Sequence, residues 1–68
     1  MKIKINGIEK VFQNEKTLDE LVREELNGNG SDGIAVAKNY KVIHRQNWNE
    51  TKVNENDEIE IVTAVQGG

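Results

Sequence analysis

The stretch Thr17-Leu18-Asp19-Glu20-Leu21-Val22-Arg23-Glu24-Glu25-Leu26 decides the fold of this 68-residue chain. Thr17 and Glu20 stand at the spacing of a capping box. The Thr17 hydroxyl accepts from the Glu20 amide, and the Glu20 carboxylate reaches back to the Thr17 amide. Leu18, Leu21, Val22 and Leu26 follow at helical spacing and make one apolar stripe. Asp19 and Glu20 fall in the first turn, where negative charge suits the helix dipole. Gly28 is placed to end the helix in a left-handed conformation. The spacing therefore predicts a helix over 18–26 with one buried face. A single stripe needs an apolar surface to cover, and one face of a mixed sheet supplies it.

The segments on either side provide that sheet. Residues 2 to 6 alternate Lys-Ile-Lys-Ile-Asn, the period of a half-buried strand. Asn6-Gly7 signals a tight hairpin, because both residues accept positive φ. The return strand is expected over 8–12. After the helix, residues 34–38 and 41–43 read as two short strands around Asn39-Tyr40. Residues 44 to 53 read as irregular, with Trp48 as their large apolar anchor. Glu55-Asn56-Asp57 marks a turn. Residues 58 to 63 alternate again, with Ile59 and Ile61 on one face and Glu58, Glu60 and Val62 on the other. Lys2 and Lys4 complement Glu58 and Glu60 in charge, which suits first and last strands that are neighbours. The expected architecture is one domain over 1–68, a mixed sheet covered on one face by one main helix, with a flexible tail from about residue 64.

Composition narrows the function. The net charge is −3, which argues against binding a phosphate backbone. There is no cysteine and one histidine, His44, so neither a disulfide nor an all-protein zinc site is expected. Without a thiol, and with one histidine lacking an obvious nucleophilic partner, no hydrolytic or acyl-transfer site is expected. Gly28-x-Gly30-x-x-Gly33 matches the dinucleotide fingerprint by letter. That mechanism needs a loop leaving a strand and opening a helix, whereas here the loop leaves a helix and enters a strand. Met1-Lys2-Ile3-Lys4 does not open a signal peptide, and no segment is long and apolar enough to span a membrane. A cytoplasmic protein is expected.

The chain closes on Gln66-Gly67-Gly68. A glycine carboxylate sits on a thin, pliable thread that enters a narrow site where a side chain would clash. It is unreactive until activated, for example as an acyl-adenylate. The alternative is an ordinary flexible end, in which glycine marks mobility alone. The tail by itself leaves both readings open.

The arrangement resembles the ubiquitin-like β-grasp fold, and more closely the ThiS family, the sulfur carrier proteins of thiamine biosynthesis. Ile34-Ala35-Val36-Ala37-Lys38-Asn39 is similar to the family's small-and-branched strand ending in Asn. Arg45-Gln46-Asn47-Trp48 is similar to its Arg-x-x-Trp element. Residues 57–62 and 64–68 are similar to its final strand and tail. There are two departures. His44 stands where the family usually has Pro, and Asn56 stands where it usually has Gly. Asparagine is the best substitute for glycine at positive φ, so the turn is expected to survive.

The resemblance implies a carrier rather than an enzyme. An adenylating enzyme related to the ubiquitin activators would consume ATP to activate the Gly68 carboxylate. A sulfur-relay donor would convert the adenylate to a thiocarboxylate, and thiazole synthase would accept the sulfur. No cofactor, metal, nucleic acid or membrane is implied. Gln66 and Gly67 would thread the activating site. Val62, Ala64 and Val65 beside the tail are candidate partner contacts, and Arg45 is a candidate grip on an acidic patch. Trp48 reads as a core anchor under a loop. Two other readings share the tail: a carrier like the small subunit of molybdopterin synthase, and a ubiquitin-like modifier joined to lysines. A plain interaction module is a further alternative.

Overall fold

The first hairpin follows from two residues. Asn6 and Gly7 both have positive φ, +52° and +81°. That is the geometry of a two-residue turn whose twist matches its strands. It joins β1 (Lys2–Ile5) to β2 (Ile8–Val11) in antiparallel register, with Ile5 opposite Ile8 and Lys4 opposite Glu9. The computed structural model describes residues 1–27, 30 and 32–63. The return strand stops at Val11, one residue short of expectation. Half-buried Phe12 still exchanges bonds with Met1 beyond the strand's end, its amide donating to the Met1 carbonyl and its carbonyl accepting from the Met1 ammonium, each at 2.8 Å.

A two-residue strand, β3 (Lys16–Thr17), leads into α1 (Leu18–Leu26). The capping box is present in both directions: the Glu20 amide donates to the Thr17 hydroxyl at 3.2 Å, and the Thr17 amide donates to the Glu20 carboxylate at 2.9 Å. The Leu18 amide is satisfied by the Thr51 carbonyl at 2.7 Å. At the other end, Asn27 takes a left-handed position, with φ +56°, and its amide bonds the Glu24 carbonyl. Gly28 lies outside the described residues.

The second hairpin joins β4 (Ile34–Lys38) to β5 (Lys41–Val42) through Asn39 and Tyr40, again at positive φ, +49° and +69°. Ile43 leaves β5 earlier than expected, yet its amide still donates to the Val36 carbonyl. Residues 44 to 53 are more ordered than their sequence suggests. Arg45–Glu50 form a 3-10 helix, and β6 (Lys52–Val53) pairs antiparallel with β3 as a separate two-stranded sheet. Trp48 explains the order: its ring is buried and its indole N–H donates to the Ile43 carbonyl at 2.9 Å. Burying the ring stabilises the segment once that polar atom has a partner.

The last strand, β7 (Glu58–Thr63), lies in the middle of the main sheet. The strand order is β2-β1-β7-β4-β5. β7 runs parallel to β1 and antiparallel to β4. Ile3, Ile5, Val36 and Ile59 point to the inner face and pack with Leu18, Leu21 and Val22 of the helix, together with Trp48 and Val53. The fold is thus α+β, a mixed sheet covered on one face by one main helix. The expected charge complement is met in register at one position only, and there without an ion pair. Lys4 faces Glu58 in register, whereas Lys2 lies beside Asn56 and forms its ion pair with Glu9 at 3.3 Å.

Candidate functional site

Two turn asparagines fix the position of β7, which leads to the tail. Asn6 donates its amide to the Ile59 carbonyl at 2.9 Å. Its side chain continues as if it were another strand residue, accepting from the Ile61 amide at 2.8 Å and donating to the Ile61 carbonyl at 3.2 Å. On the opposite side Asn39 donates its amide to the Glu58 carbonyl, and its side chain accepts from the Glu58 amide at 2.9 Å. The sequence marked both asparagines as turn formers. It did not reveal that each side chain also pairs with the last strand. The signal was Asn at the first turn position of both hairpins, where glycine would satisfy φ but supply no amide.

Asp57 anchors the start of the same strand. It is only 6% exposed. One carboxylate oxygen accepts from the Asn39 side chain at 2.9 Å. The other accepts from the Asn54 amide at 2.7 Å and lies 3.5 Å from the Lys38 ammonium. All of this charge is paired or hydrogen-bonded, as burial requires. Asn56 adopts φ +68°, so the turn does survive the loss of the family's usual glycine.

The sheet's outer face, away from the helix, carries the candidate contacts. Val62 is 54% exposed and stands opposite Ala35; Ala37 stands opposite both Glu60 and Val42, which is 69% exposed. These small and branched side chains form a shallow apolar strip beside the last described residues of β7. Val62 is therefore exposed, as the alternation predicts. Ala64, Val65, Gln66, Gly67 and Gly68 lie outside the described residues. Arg45 sits near the same end of the sheet, since Asp32 precedes Ile34, the register partner of Thr63. Its guanidinium pairs within the chain, 3.1 Å from the Asp32 carboxylate, and both groups are exposed. His44 is exposed and precedes the 3-10 helix. Among the described residues no group of three or more His, Asp or Glu could hold a metal ion, and no helix is long and apolar enough to cross a membrane.

A compact sheet-and-helix handle, with an apolar strip leading to a glycine tail, defines a ubiquitin-like class of protein. Comparison with known proteins narrows it. The ThiS family model matches residues 3–68, so the chain belongs to the ThiS family. It is also 34% identical over all 68 residues to a thiazole synthase of Paramagnetospirillum magneticum, of whose length it spans 20%. The crystal structure of the thiamine biosynthesis protein ThiS from Geobacter metallireducens superposes with a TM-score of 0.83 at 23% identity, covering the whole of both chains. The solution structure of a thiamine biosynthesis protein from the same organism gives 0.78 at 23% identity, covering all of this chain and 88% of the other. Both likenesses support the β-grasp fold.

Proposed function

We propose that this ThiS-family chain is a sulfur carrier for thiazole formation in thiamine biosynthesis, with the Gly68 carboxylate as its reacting group. A carboxylate oxygen of Gly68 attacks the α-phosphorus of ATP on a partner enzyme. Pyrophosphate leaves, and an acyl-adenylate remains. A persulfide sulfur from a relay protein then attacks the acyl carbon and AMP leaves. Thiolysis of the resulting S–S bond releases the Gly68 thiocarboxylate. Thiazole synthase accepts its sulfur. The chain's own contribution is recognition and reach, with Gln66 and Gly67 threading the activating site and Val62, Ala64 and Val65 docking beside it.

The observation that carries this reading is the family match running through residue 68, which includes the Gly67-Gly68 end. The whole-length similarity to a segment of a larger thiazole synthase supports that enzyme as the sulfur acceptor. The test is ATP–pyrophosphate exchange with the cognate adenylating enzyme, run beside melting curves. Deleting Gly68, or extending the chain past it, is expected to abolish exchange and leave the melting midpoint nearly unchanged, since a terminal residue makes few contacts. Equal exchange by the truncated chain would overturn the proposal. Intact mass of protein from the native host separates the modifier alternative. Sulfur in place of oxygen at the terminus marks a carrier, and lysine-linked adducts mark a modifier.

A further inference from the structure

The Asn6-Gly7 dipeptide carries a reactivity besides its turn. Asparagine is a thermally labile residue, and a following glycine leaves the backbone amide with no side chain beside it. The Gly7 amide nitrogen can attack Cγ of Asn6. An N–C bond then forms, the Cγ–Nδ2 bond breaks, and Nδ2 departs as ammonia with the Gly7 amide proton. Water opens the resulting succinimide at either carbonyl, giving aspartate or isoaspartate. No oxidant, reductant or co-reactant other than water takes part.

The fold places one restraint on this reaction. Both residues are exposed, and a Cβ built on Gly7 would meet no atom within 4 Å, so the turn is open to water and has room to move. The carboxamide, however, is held at both ends by Ile61, 55 positions along the chain. Its Oδ1 accepts from the Ile61 amide at 2.8 Å, and its Nδ2 donates to the Ile61 carbonyl at 3.2 Å. While both bonds stand, the carboxamide faces β7 and cannot turn back to the Gly7 nitrogen.

We infer that Asn6-Gly7 is a self-modification site held latent by the end of β7, and that its conversion to isoaspartate irreversibly marks a chain whose last strand has come loose. Isoaspartate routes the main chain through Cβ and Cγ. That adds a carbon to a two-residue turn built on positive φ at both positions. The carboxamide is gone, so the clamp on Ile61 does not re-form. The loss falls beyond the β1–β7 ladder, whose last pair is Ile5 with Ile59, where Asn6 is the partner of Ile61 on that side. On the other side β4 still holds β7 from Lys38–Ile59 to Ile34–Thr63. The strand end is therefore released along one edge and the core stays closed. This inference goes beyond the carrier reading and does not depend on it.

The test incubates the full chain at one mildly alkaline pH in a guanidinium series, from native buffer through sub-denaturing steps to full unfolding. Trypsin releases Ile5–Lys10, in which the asparagine, aspartate and isoaspartate forms are resolved by chromatography and mass. Exchange of the Ile61 amide is followed by NMR at the native and sub-denaturing steps. Conversion is expected to be more than about tenfold slower in native buffer than in the unfolded chain, since two hydrogen bonds must open first. It should rise in proportion to Ile61 exchange through the sub-denaturing steps. Equal conversion in folded and unfolded chains, or conversion indifferent to Ile61 exchange, would overturn the latency. The isoaspartate form is then separated by ion exchange. Its Ile61 amide should exchange about tenfold faster than in the unmodified chain, with the Leu21 amide as protected as before. Unchanged protection at Ile61, or equal loss at Leu21, would overturn the local release.

Discussion

At Thr17 and Glu20 a pair of side chains links pH to stability. Hydrogen bonds from the Thr17 backbone and side chain, with a smaller contribution from nearby Lys16, hold the Glu20 carboxyl below its usual range. A carboxyl lowered in the folded state adds stability above its unfolded pKa and loses it as pH falls through the folded value. Wild type is therefore expected to lose stability on acidification below the ordinary glutamate range more steeply than Glu20→Ala does. The two melting curves should converge toward low pH, which calorimetry across an acid series checks. Both residues and their roles were legible, because capping is written in spacing. The Asp57 network was not. Asn54 is a local partner, but Lys38 and Asn39 lie at the end of β4, and only the closed sheet brings them to Asp57.

At the scale of elements, the helix is held by its stripe rather than its length. Nine residues is short for an isolated helix, so tertiary packing must supply most of its stability. Leu21 is fully buried at the centre of that packing. Leu21→Ala is expected to cost about 2–5 kcal/mol, a large share of a small domain's stability, as denaturant unfolding would show. The strongly periodic elements, β1, α1 and β7, were readable because one buried face imposes one period. The 3-10 helix and the β3–β6 pair were not. Two-residue strands have no period to read, and the order of 44–53 comes from where Trp48 lands. The contact of Tyr40 with Glu58 was equally hidden, since the turn position is visible in sequence but the approach depends on the register of β4 with β7.

At the scale of the whole molecule, the last strand lies between the first strand and β4, paired to both. Consider a partner that draws the tail into a deep channel. The pull runs along the axis of β7. Its bonds to β1 and to the two turn asparagines lie across that pull, so they are loaded together in shear and not peeled one after another. The domain should therefore behave as a mechanical clamp, able to transmit a tug on its terminus to its whole body without opening. Single-molecule extension between residues 1 and 63 should meet a higher rupture force than extension between residues 1 and 11, where the β1–β2 hairpin unzips rung by rung. A handle of this kind can be hauled into place by its own thread and still arrive folded.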